Sequence, residues 1–116
     1  MKHILSFCLA LAFSLTSFAN DSSAVFYRIR LDQNIDKAAE RLVVKGLQNA
    51  QKCDADYVLL DLDTYGGAVD AADSIRTAIL RNEKPVIAYV NMQAASAGAL
   101  ISIACDSIYM RTGSSI

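Results

Sequence analysis

Two short apolar runs most constrain the fold: YVLLDL at 57–62 and VIAYV at 86–90. Each is bounded by polar or turn residues and reads as a strand buried on both faces, which is what a parallel sheet asks for. Parallel neighbours cannot be joined by a tight turn and need a crossover, usually a helix. The stretch between the two runs supplies one. Over 69–80, Ala72, Ile75 and Ile79 recur on one helical face, and Asn82 and Pro85 stop the pattern.

The alternation extends in both directions. VFYRIRL, 25–31, alternates apolar and basic residues, as a strand with one solvated face would. Asn34 or Asp36 can cap a helix running to Lys52, with Ala39, Leu42, Val43, Leu47 and Ala50 at helical spacing. After the third strand comes a helix over about 96–105, then a short strand at 107–110. The order predicts an α/β fold of successive βαβ units, a mostly parallel sheet with right-handed crossovers. RTGSSI reads as the start of a loop, with nothing after it to cover the last strand. The sheet is expected to be incomplete at the C-terminus, the N-terminal part of a larger domain.

The first nineteen residues read as a secretory signal. A basic start leads into an apolar run at 4–15, and Ser17 and Ala19 stand where a signal peptidase reads small residues. The run falls short of the roughly 20 residues a membrane span needs. Cleavage would leave residues 20–116, with 10 basic against 12 acidic groups once Lys2 is gone. No basic patch points to nucleic acid or to an anionic membrane surface. Cys53 and Cys105 read as buried free thiols, although an oxidising compartment would permit a pair. No Cys/His cluster has zinc spacing, and the only histidine, His3, leaves with the signal. No metal or cofactor is expected.

Two strand ends could carry chemistry. In DLDTYGGAVDAA, 61–72, a buried strand passes through Gly66-Gly67 directly into a helix. Paired glycines permit positive φ and close backbone approach, and their amides suit an anion or a developing oxyanion. A plain tight turn is the other reading. The spacing fits neither GxGxxG nor the P-loop, so nucleotide binding is not expected. In VNMQAASAGALISIAC, 90–105, Ser96 follows a strand and opens a helix among very small residues. It too falls at the carboxyl end of the sheet, where open α/β folds place ligands. A helix cap explains the hydroxyl as well as a nucleophile does, and the residues alone leave the two readings open. A nucleophile needs a base. With no histidine after maturation, a Ser-His-Asp triad cannot be built. Lys37, Lys45 and Lys52 fall on an exposed helix face and Lys84 in a loop, so none is expected to serve.

VLLDLDTYGGAVDAADSIRTAIL followed by PVIAYVNMQAASAGALISIACDSIYM resembles the NfeD family of membrane-associated serine proteases. These are Ser-Lys relatives of the ClpP and signal-peptide-peptidase A group, within the ClpP/crotonase fold. The resemblance covers about residues 25–116. It implies that Ser96 of the ASAG motif is the nucleophile and that the amides of Gly67 and Ala97 form the oxyanion hole, with Gly66 shaping the loop. Tyr65 stands where the family pattern has proline. The resemblance places the lysine base past Ile116, so this piece alone would be inactive. It further implies a peptide or protein substrate such as an apolar segment of a stomatin-like membrane protein, a homo-oligomer, and membrane anchoring further along the protein. Export would put the domain on the periplasmic side of the membrane. A non-catalytic binding or assembly module that keeps the fold is the alternative. A crotonase-like acyl-CoA enzyme ranks last, because a signal sends the chain away from the CoA pool.

Overall fold

The alternation of the first segment becomes strand β1 (Phe26–Leu31), with Arg28 and Arg30 exposed and Ile29 and Leu31 buried. The computed structural model describes residues 22–116, and the signal expected at 1–19 lies outside the described residues. Asp36, not Asn34, caps helix α1 (Lys37–Lys52). Its carboxylate accepts from the Ala38 and Ala39 amides, both at 2.9 Å, two donors that a helix start leaves without intrahelical partners. Leu42, expected on the inward face, is exposed, and Gly46 is buried instead. A Cβ at Gly46 would lie 2.6 Å from the Ile29 side chain, so its absence lets α1 settle directly onto β1.

The chain continues through β2 (Tyr57–Thr64), α2 (Val69–Leu80), β3 (Val86–Ala94), α3 (Ala97–Ile103) and β4 (Ser107–Met110). The strands lie in the order β1-β2-β3-β4, every pair parallel. When each strand neighbours the next, right-handed crossovers put all the helices on one face. The core lies between that face and the helices, with Leu31, Leu60, Leu62 and Val90 from the strands meeting Val43, Ile75 and Ile101. Burial on both faces, expected for 57–62, holds at Asp61 but fails at Tyr57, because among the described residues no helix covers the second face. There the Arg28 side chain pairs with Asp61, and Phe26 stacks on Tyr57 with ring centroids 5.1 Å apart.

Strand β3 runs four residues beyond its expected end at Val90. A register shift accompanies the extension: Leu62 pairs with Val90, but Thr64 pairs with Ala94. On its other side the extension is held by Ser115, whose amide donates to the Met92 carbonyl (3.0 Å) and whose carbonyl accepts from Ala94 (2.9 Å). Ser115, in the stretch expected as the start of a loop, therefore braces the strand that leads to Ser96. Among the described residues the two cysteines, Cys53 and Cys105, are free. Cys53, expected to be buried, is exposed at the end of α1, whereas Cys105 is partly buried. Burial, helped by the neighbouring Asp106 charge, pushes the Cys105 thiol up to about 12. Among the described residues no helix is long and apolar enough to cross a membrane.

Candidate active site

Between β2 and α2 the chain turns through residues 65–68. Gly66 and Gly67 have φ of +110° and +155°, where a side chain is rarely tolerated. Space is as restrictive as dihedral angle. A Cβ on Gly66 would lie 2.9 Å from the Ser96 Cβ and 3.2 Å from the Ala97 nitrogen. A Cβ on Gly67 would lie 2.2 Å from the Ile35 carbonyl oxygen. Ile35 holds the loop on that side: its amide donates to the Gly66 carbonyl (2.9 Å) and its carbonyl accepts from the Ala68 amide (2.7 Å). In a parallel bridge of this kind the flanking residues make the bonds. Because the Gly66 carbonyl points at Ile35 and the peptide is trans, the N–H of Gly67 points away from Ile35.

Ser96 sits one residue past Ala95, whose amide donates to the Thr64 carbonyl at 3.0 Å. Its backbone adopts φ 53°, ψ −112°, a conformation that costs a residue with a Cβ about 1–3 kcal/mol. The serine occupies the N-cap position of α3, yet its side chain makes no capping hydrogen bond. The capping explanation of this hydroxyl therefore fails. Its carbonyl starts the helix, accepting from Ala99 (3.0 Å) and Leu100 (3.2 Å), and its side chain is left exposed at the carboxyl end of the sheet.

The structure thus brings together all four residues singled out in the sequence, Gly66, Gly67, Ser96 and Ala97. Among the described residues neither the Gly67 nor the Ala97 amide has a hydrogen-bond partner. The Ala97 amide is free because it opens a helix, where the first donors have no intrahelical acceptor. Beside them a cleft of about 260 Å³ is lined by Val69, Ala72, Ser96, Ala97 and Leu100. Its walls are apolar except for the serine, so it suits an apolar side chain placed next to a polar reacting group.

The lysines are placed elsewhere. Lys37 bonds to Glu40 at 2.7 Å and lies 3.6 Å from Asp70. The bond to Glu40, with the charges of Glu40 and Asp70, holds its amine above the ordinary range, the opposite of what a base requires. Lys84 pairs with Asp54 at 3.4 Å, at the opposite end of β3 from Ser96. Lys45 and Lys52 are exposed on α1. Sequence reasoning missed two residues that shape the site, Ile35 and Thr64. Ile35 reaches the loop through its backbone, which leaves no signal in the sequence, while its side chain is buried in the core. Thr64 did leave one, a lone hydroxyl closing an apolar strand directly ahead of the glycines.

A parallel α/β sheet with these loops at two adjacent strand ends has the architecture of ClpP-like protease domains. Solved structures agree. A serine-to-alanine variant of 1510-N, a membrane-bound stomatin-specific protease, superposes with a TM-score of 0.77 at 27% identity, over 80% of this chain and 46% of that one. A lysine-to-alanine variant in complex with a substrate peptide gives 0.76 at 28% identity, over 80% and 44%. ClpP1 from Listeria monocytogenes, as an asparagine-to-aspartate variant, shares the fold with a TM-score of 0.65 at 24% identity, over 68% and 46%.

The chain belongs to the NfeD1b N-terminal domain family, whose model matches residues 25–116. It is 39% identical over 87 residues to the membrane protein NfeD1b of Bacillus subtilis, covering 75% of this chain and 20% of that protein. It is 39% identical over 70 residues to the membrane-bound protease PH1510 of Pyrococcus horikoshii, covering 58% of this chain and 16% of that protein. The chain therefore spans a fifth or less of the curated relatives it matches.

Proposed function

We propose that this domain is the nucleophile-bearing part of an exported, membrane-associated serine endopeptidase of the Ser-Lys type. Ser96 Oγ attacks the scissile carbonyl carbon, and the carbonyl oxygen takes up the negative charge. The amides of Gly67 and Ala97 donate to that oxyanion. The Ser96 proton passes to a neutral lysine amine, which returns a proton to the leaving amine as the acyl-enzyme forms. Water then releases the acyl group by the same route in reverse. We assign the base to a lysine elsewhere in the longer protein, since each lysine described here is ion-paired or exposed away from Ser96. On this reading the isolated piece is inactive. The substrate is an apolar segment of a membrane-associated, stomatin-like protein, cleaved on the periplasmic side by a homo-oligomer.

One observation carries the reading. Gly66 packs against Ser96 and Ala97, Ser96 is strained and exposed, and the amides of Gly67 and Ala97 have no hydrogen-bond partner among the described residues. Removing one such donor typically costs roughly 10²–10³ in rate. The relatives support the reading by name, as a membrane-bound protease and as 1510-N with a substrate peptide. The test is hydrolysis of an apolar peptide, and labelling by a fluorophosphonate, in the full-length protein and its Ser96→Ala variant. Both signals should vanish with the hydroxyl while the variant stays folded. Wild-type cleavage by Ser96→Ala would refute the assignment.

A further inference from the structure

One buried residue links the loops and the helix that carry the site. Thr64, the last residue of β2, is only 2% exposed. Its hydroxyl donates to the Gln33 carbonyl at 2.7 Å, in the loop between β1 and α1. The same oxygen accepts from the Gly66 amide at 3.2 Å. Its backbone carbonyl accepts from Ala95, the residue before Ser96. Its methyl group lies against α3, where a Cβ on Gly98 would come within 2.8 Å of it.

We propose that Thr64 is a positioning residue, whose hydroxyl fixes the Gly66-Gly67 loop relative to Ser96. The inference rests on the reading of Ser96 and the Gly67 amide given above. Residue 65 explains the need. A proline there would lock φ near −65° and stiffen the loop by itself. Tyr65 is 81% exposed and imposes no such restraint. The loop must then be held from outside. Ile35 holds the carbonyl of Gly66 and the amide of Ala68, and the amide of Gly66 goes to Thr64. Without that bond the loop can rotate, and the Gly67 amide loses its aim. Displacing a catalytic group by about 1 Å can cost on the order of 10²-fold in rate.

The two functional parts of the side chain can be separated. Thr64→Val keeps the shape and removes the hydroxyl; Thr64→Ser keeps the hydroxyl and removes the methyl. Both are made in the full-length protein. Peptide hydrolysis is measured together with amide hydrogen exchange over residues 65–68. Thr64→Val should lower kcat by about tenfold or more with KM within about twofold, and should speed exchange over 65–68 at least about tenfold. Thr64→Ser should restore the exchange protection and most of kcat. If Thr64→Val leaves both unchanged, or Thr64→Ser is as damaging as Thr64→Val, the proposal is overturned. Should wild-type protein show no Ser96-dependent hydrolysis, the protease reading fails, and the exchange measurement still decides whether the hydroxyl holds the loop.

Discussion

Replacing Ser96 by glycine should make the protein more stable, and replacing it by alanine should not. The backbone at 96 has φ 53° and ψ −112°, where a residue with a Cβ carries about 1–3 kcal/mol of strain. Glycine removes the strain. It also gives the unfolded chain more freedom, which costs about 0.5–1 kcal/mol. The net is a gain of roughly 1 kcal/mol. Alanine keeps the Cβ, and there is no capping bond for it to lose, so Ser96→Ala should fall within about 0.5 kcal/mol of wild type. A capping serine predicts the reverse: alanine would cost about 1 kcal/mol, and glycine a few tenths. The sign for glycine therefore separates the two. In a complete domain of roughly 150–250 residues, 1 kcal/mol moves Tm by about 2–4 °C, within reach of thermal and urea unfolding of the full-length protein. Both variants should lose hydrolysis. A Ser96→Gly protein that melts below wild type would show that the backbone at 96 is not strained as described.

Gly67→Ala should destabilise the domain by roughly 1–3 kcal/mol, at the upper end because its Cβ would meet the backbone of Ile35; urea unfolding measures it, and a neutral result would mean the loop can move aside. Asp36→Ala should cost about 1 kcal/mol through loss of two helix-start bonds, with Asp36→Asn retaining most of the stability. Of Cys53 and Cys105, only exposed Cys53 should react with a thiol reagent at neutral pH in the folded protein; Cys105, held as the neutral thiol with its pKa near 12, should react only on unfolding. Gly98→Ala should be damaging alone, because its Cβ would lie 2.8 Å from the Thr64 methyl, and Thr64→Ser should recover much of the lost stability by vacating that space; failure of the rescue would mean the clash lies elsewhere.

The elements that set the architecture were legible because they carry periodic patterns. VFYRIRL, YVLLDL and the 69–80 stretch each became the expected element. The boundaries at Leu80 and Met110 also emerged unchanged, the first through Asn82 and Pro85. Patterns failed where a neighbour decides the outcome. Leu42 matches the helical period, but the small Gly46 draws a different face of α1 onto β1. Cys53 closes an apolar pattern and still ends in solvent, since the helix stops there. At Ser96 the sequence could offer two explanations of one hydroxyl and no means of choosing. The structure removes the capping explanation through a missing bond, and that absence is not written in local composition.

The extension of β3 shows why the site itself was harder to read than its residues. NMQA was expected to lie beyond the strand, whose reading ended at Val90. In the structure these residues are β-paired on both sides, to Thr64 through Ala94 and to Ser115 through Met92 and Ala94. From Leu62 to Thr64, β2 advances two residues while β3 advances four, from Val90 to Ala94. Such an irregularity is a common device for re-aiming a strand beside an active site. Here the extra length carries Ala95 level with the Thr64 carbonyl. Ser96 then has to turn sharply into α3, at the cost of its positive φ, directly against Gly66. A strand ending at Val90 would leave the serine and the glycine loop on separate strand ends with nothing to bring them together. The approach of Ser96 to Gly66 thus depends on a pairing that no hydrophobic pattern announces. It is also why Thr64, the residue at which the register recovers, sits at the junction of both loops.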